Sequence, residues 1–153
     1  MKIFSKVFTV IIALSFLSCN KLKYSNLKSI DIYDYQLEVP AQFELIEEQG
    51  IDSYVGKLSG EGIDIPFDFG VYTSPDKDLD QEKYDIYFET FGTVERQIVV
   101  PKDSQADFTT LHIRDLENYS ELGGYVSLKM YTNNITRKEQ KLVVKIFESA
   151  KLK

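Results

Sequence analysis

Ile63-Asp64-Ile65-Pro66-Phe67-Asp68-Phe69-Gly70-Val71-Tyr72 decides the fold class. Its odd-numbered residues are all apolar, while Asp64, Pro66 and Asp68 point the other way. That period of two is the mark of a strand with one packed and one wet face. Proline has no N–H to give to a ladder, so Pro66 predicts an edge strand or a bulge. Upstream, Tyr35–Val39 alternates in the same way and stops at Pro40. Phe43 and Leu45 continue the period, which predicts the return arm of a hairpin into Gly50, and Ile51–Leu58 reads as a third strand. Downstream, Ser74 as N-cap and Pro75 at the first helical position predict a short helix through Lys83. Tyr84, Ile86 and Phe88 then alternate with Asp85, Tyr87 and Glu89, and Val94–Val100 is the partner arm after Gly92. Phe108–Asp115 and Gly124–Tyr131 form two further strands, joined through Glu117, Asn118 and the Gly123-Gly124 pair. Thr136 and Glu139 make a capping box ahead of Leu142, Val143, Ile146, Phe147 and Ala150, which share one face at helical spacing. The expected fold is α+β: a largely antiparallel sheet of about seven strands packed by a C-terminal helix, in a two- or three-layer sandwich spanning residues 31–153 as one domain.

The N-terminus reads differently. Met1–Asn20 carries Lys2 and Lys6, no acidic residue, and an apolar run from Val7 to Leu17. That run is short of the ~20 residues that cross a bilayer and fits a cleaved export signal. Phe16-Leu17-Ser18-Cys19 resembles the lipobox of bacterial lipoproteins, with Phe16 standing where an aliphatic residue is usual. The resemblance implies a signal peptide over residues 1–18, cleavage after Ser18, and a lipid (palmitate among its acyl chains) on Cys19, the first residue of a lipidated tether over 19–30. Two or more acyl chains anchor stably where one is marginal, at ~0.8 kcal/mol per buried methylene. Family sorting rules add that Asn20 is not the aspartate that retains such proteins in the inner membrane. Lys21–Ser29 also lacks the acidic cluster of a Bacteroidetes surface-export tag. The expectation is a lipoprotein of the cell outer membrane facing the periplasm; the alternatives are an ordinary secretory signal or a free thiol.

Loss of Met1–Ser18 removes two of the 18 basic residues and none of the 24 acidic ones, which leaves a net charge of about −8. Such a surface repels nucleic acid and suits a basic partner. With Cys19 the single cysteine, no intrachain disulfide can form, and packing must hold the domain, supplied by the ten Phe and ten Tyr of the chain, most of which lie in the mature region.

Catalytic sets are hard to assemble from this inventory. His112 is the lone histidine, in Thr109-Thr110-Leu111-His112-Ile113-Arg114. Leu111 and Ile113 claim the core face, so His112 is expected on the exposed face without a nucleophile partner. Asp76-Lys77-Asp78-Leu79-Asp80 opens like a calcium loop, but Gln81 replaces the turn glycine and Tyr87 the bidentate glutamate. Asp76, Asp78 and Asp80 are therefore a weak metal candidate beside the plainer reading of a solvated acidic loop. Asp64 and Asp68 share a strand face but lie ~13 Å apart at ~3.3 Å per residue, too far for paired glycosidase acids. Gly60-Glu61-Gly62 and Gly123-Gly124 read as turns, and no cofactor is expected.

The surface candidate is aromatic. Val126, Leu128 and Met130 take one face of their strand, leaving Tyr125, Lys129 and Tyr131 in a row on the other as a partner-binding site for a protein or glycan, unless a second layer covers them. In element order, the hairpin ending at Val39-Pro40, the Asp68-Phe69-Gly70 strand, the later hairpin and the final helix are similar to the PsbP and Mog1-like sandwiches. That resemblance implies binding or assembly. The functional expectation is a non-catalytic lipid-anchored envelope protein, a binding, assembly or inhibitor-type module for a basic envelope protein or a glycan. The alternative is a carboxylate-dependent hydrolase of envelope glycans or peptides.

Overall fold

The computed structural model describes residues 26–105 and 107–153. The signal segment, Cys19 and the first part of the tether lie outside the described residues. In chain order the elements are β1 (Leu27–Ile32), β2 (Tyr35–Pro40), β3 (Glu44–Glu48), β4 (Tyr54–Gly60), β5 (Ile63–Gly70), β6 (Tyr84–Phe91), β7 (Val94–Pro101), β8 (Thr109–Ser120), β9 (Gly124–Thr132), α1 (Arg137–Glu148) and β10 (Lys151–Leu152). They form a seven-stranded sheet in the order β3-β4-β5-β9-β8-β7-β6 and a three-stranded sheet in the order β1-β2-β10. Every ladder is antiparallel. The α+β class, the seven-stranded sheet and the C-terminal helix are thus as the sequence predicts.

The large sheet offers one apolar face to the core. Ile63, Ile65, Phe67 and Phe69 of β5 stand beside Leu128 and Met130 of β9 and Leu111 and Ile113 of β8, all buried. Against them pack Leu142, Val143, Ile146 and Phe147 of α1 and Ile32, Tyr35, Leu37 and Val39 of the small sheet. Thr136 caps α1 as expected, its hydroxyl accepting from the Glu139 N–H while the Glu139 carboxylate accepts from the Thr136 N–H. At the other end Arg96, reaching over from β7, donates to the carbonyls of Glu148 at 2.6 Å and Ala150 at 3.2 Å. A cation there complements the negative end of the helix dipole.

Four expectations are corrected. β1 begins at Leu27, inside the stretch read as tether, and it supplies the hairpin partner of β2. Phe43 and Leu45 do not return along β2; the chain passes to the other sheet, where β3 pairs with β4. Residues 74–83 form no helix. Finally, β5 is interior, between β4 and β9, although its β9 ladder covers only Phe67–Gly70. Pro66 lies just beyond the end of that ladder, where its missing N–H leaves no β9 partner unsatisfied. The tight turn at Glu61-Gly62, with φ of +54° and +80°, joins β4 to β5 in the left-handed backbone that two-residue hairpins favour.

Candidate functional site

The connection from β5 to β6 has to travel far, because β6 lies at the far edge of the sheet beyond β9, β8 and β7. Residues 71–83 make that crossing as a strap laid over the sheet face opposite the core. Each strand it passes holds it. On β9, the Ser127 hydroxyl bonds the Thr73 hydroxyl, and Lys129 donates to the Ser74 carbonyl at 3.2 Å and to the Asp76 carboxylate at 2.6 Å. On β8, Thr110 donates to the other Asp76 oxygen at 2.6 Å. On β7, the Gln97 amide accepts from the Asp76 N–H at 2.8 Å and donates to its carbonyl at 2.9 Å, which reproduces a two-bond ladder rung with a side chain.

His112 lies under this strap, between Gln97 and Lys129 in register, and is only 3% exposed. The expectation of an exposed histidine is therefore corrected. Alternation did place it opposite Leu111 and Ile113, but the strap covers that face. Burial, then the charges of Lys129 and Arg114, push the imidazole down to about 4, against the opposing pull of Asp76 and a hydrogen bond to the Thr73 backbone. Among the described residues its Nε2 has no hydrogen-bond partner. The neutral ring is a filler beneath the strap.

Beside the Asp76 anchor the strap leaves an open cleft of about 420 Å³. Phe108 and Tyr131 stand at it with rings 5.8 Å apart and nearly perpendicular, 43% and 40% exposed. Lys129, Asp76, Asp107 and Tyr84 supply its polar groups, and Leu79 and Val99 apolar surface. The Tyr84 hydroxyl donates to the Asp107 carboxylate. Two apolar ring faces beside a ring of donors and acceptors suit a ligand with both apolar and hydroxylated surfaces.

Of the residues picked from the sequence, Lys129 and Tyr131 line this cleft together with Asp76. Tyr125 does not join them. Its ring lies 5.1 Å from Tyr119 and 5.0 Å from the Arg114 guanidinium, at the opposite end of β9. The acidic loop does not converge either: Asp76 is bound to Lys129 and Thr110, Asp78 has a left-handed φ of +54°, and Asp80 accepts from the Glu82 N–H. Among the described residues no group of three or more His, Cys, Asp or Glu side chains could hold a metal ion. Asp64 is held below the usual carboxylate range by hydrogen bonds from Lys57 and Ser59, both at 2.6 Å, and acts within its own hairpin.

Phe108, Asp107 and Tyr84 were not singled out by sequence. Phe108 precedes Thr109, whose neighbour Thr110 faces Tyr131 across the β8–β9 ladder. Counting back from the hairpin turn would misplace that pair, because Ser120 opposes Gly124 while a register shift separates Tyr119 from Arg114. Comparison of the chain with models of known families, with curated proteins and with solved structures gives no match, and the PsbP and Mog1-like resemblance stands on element order alone.

Proposed function

We propose that the chain is a non-catalytic binding protein of the bacterial envelope, held through a lipid on Cys19 at the outer membrane and facing the periplasm, which takes up a segment of envelope glycan in the cleft under its strap. The observation that carries this reading is the pairing of two exposed rings, Phe108 and Tyr131, with Lys129, Asp76, Asp107 and Tyr84 around one open cleft. Ring faces pack against the apolar C–H faces of a sugar, and the surrounding charged and hydroxyl groups take its hydroxyls. Burial of one such ring is worth ~1–2 kcal/mol, so Tyr131→Ala weakens binding by about tenfold. Calorimetry with soluble peptidoglycan fragments tests this: undiminished affinity in both Tyr131→Ala and Phe108→Ala would remove the cleft from consideration. The anchor is tested separately. Cys19→Ala is expected to abolish incorporation of labelled palmitate and to move the protein from the membrane to the soluble fraction.

The hydrolase alternative has one specific feature behind it, since Asp76 and Asp107 line the same cleft. Lys129 and Thr110 donate to Asp76, and Tyr84 donates to Asp107. Both carboxylates are thus acceptors, whereas glycoside hydrolysis divides them into an acid and a base or nucleophile. Binding is the reading this arrangement favours.

A further inference from the structure

Among the described residues β6 ends the large sheet with β7 as its one strand partner; the Tyr84 N–H donates to the Asp80 carbonyl at 3.0 Å, and beyond it the outward N–H and C=O groups of the strand have no ladder partner. The opposite edge, β3, is five residues long and three of them are glutamates, which blunts it. β6 has neither lysine nor proline, and it exposes Ile86 (37%), Tyr87 (53%), Phe88 (58%) and Phe91 (40%). Ile86 and Phe88 face the same side as the strap, and Tyr87 and Phe91 face the helix side. Its two carboxylates, Asp85 and Glu89, both lie on the helix side, where Glu89 is paired with Arg96, so the strap side of the edge is apolar. A long edge with an apolar face is a template for pairing with another chain.

What lies beneath that edge selects the partner. Between the inner face of β6 and the flank of α1 runs an open groove of about 860 Å³. Its helix side carries Arg137, Lys138, Lys141 and Lys145, against Asp85 and Glu148. Arg137 is engaged, donating to the carbonyls of Pro101 and Lys102 and to Gln140. Among the described residues Lys138, Lys141 and Lys145 form no ion pair. A basic groove with unpaired lysines is unexpected on a chain of net charge −6.

We propose that β6 is a strand-addition site for an extended acidic segment of a partner protein. The segment's main chain pairs with the free edge, its carboxylates on one face lie over the lysines of α1, and its apolar residues on the other face continue the surface of Ile86 and Phe88. The spacing suits this. Lys138 to Lys145 spans ~10 Å along the helix, and alternate residues of an added strand stand ~7 Å apart, so two or three inward carboxylates meet the three ammonium groups. A second copy of this chain pairing through β6 would set two basic grooves side by side. The site does not draw on the cleft between Phe108 and Tyr131, so either assignment can fail without the other.

The test uses the purified full chain and a fluorescently labelled ten-residue peptide of alternating valine and glutamate, followed by anisotropy. Saturable binding is expected, weakened at least tenfold by Lys141→Glu with Lys145→Glu, and lost when alternate peptide nitrogens along the pairing edge are methylated. The valine–lysine counterpart is expected not to bind. Both lysines are surface groups, and an unchanged melting curve of the double variant confirms that the loss is one of binding. Absence of saturable binding overturns the proposal, as does binding that survives both N-methylation series, one for each edge of the peptide. Two further results would also overturn it: dimerisation through β6 that excludes the peptide, or lysine-dependent binding to vesicles with one-fifth phosphatidylglycerol in place of the peptide.

Discussion

His112 offers the sharpest physical prediction, because it is the single histidine of the chain and its ring proton can be followed alone by NMR. The perturbation is acidification. A free imidazole titrates near 6.5, and beneath the strap the value is pushed down to about 4 by burial and by Lys129 and Arg114. Above pH 6.5 the ring is neutral in the folded and unfolded chain alike. Between pH 6.5 and about 4 the unfolded chain binds a proton that the folded chain refuses, so stability falls as pH falls; below about 4 both are protonated and this contribution is fully lost. At ~1.36 kcal/mol per pH unit, the loss across the window is about 3 kcal/mol. The carboxylates held low, Asp64 and Glu139, lose their contributions below about pH 4.5 and so overlap little with this window. Urea unfolding at pH 7.0, 5.5 and 4.5 reads the decline, and His112→Leu is expected to flatten it. A ring-proton midpoint between 6 and 7 in the folded protein, or an unchanged pH slope in the leucine variant, would refute the buried placement.

Other perturbations address the strap and the frame. Lys129→Met removes the ion pair to Asp76, whose two side chains are each 26% exposed, and costs about 1 kcal/mol in urea unfolding. It also raises the His112 midpoint, since the Lys129 charge is the largest contribution lowering it after burial. Gly56→Ala places a methyl group 2.4 Å from the Ile46 carbonyl oxygen and 2.8 Å from the Phe67 ring, so the β3–β4–β5 corner must shift, at a cost of about 1–3 kcal/mol in the same assay. Thr136→Ala removes one half of the capping box and is expected to cost about 1 kcal/mol and to speed amide exchange in the first turn of α1.

The sheet and the helix were legible because their signals are local. Ile63, Ile65, Phe67 and Phe69 announce a one-sided strand, and Thr136 with Glu139 announces a helix start, whatever the rest of the chain does. What could not be read depends on topology. Ser74-Pro75-Asp76 has good helix-start chemistry, yet a helix would shorten the connection just where it must cross three strands to reach β6. Gln97, Thr110 and Lys129 hold Asp76 in extended chain instead. The same crossing buries His112, which alternation had correctly placed on the outer face. β1 was missed because Ile30 and Ile32 are its only core-facing apolar residues, too short a pattern to stand out from a polar tether. Of the candidate site, Lys129 and Tyr131 were legible from the alternation of β9, whereas Phe108, just ahead of β8, and Tyr84, at the start of β6, are placed by strand registers that no local pattern encodes.

The cleft beside the Asp76 anchor, framed by Phe108 and Tyr131, is the proposed ligand site. The most direct measurement is an amide and aromatic NMR titration of the purified protein with soluble peptidoglycan fragments. Saturable shifts are expected at Phe108, Lys129, Tyr131 and the Asp76 stretch of the strap, with their loss in Tyr131→Ala. Shifts that fail to saturate, or that survive unchanged in Tyr131→Ala, would contradict the proposed site.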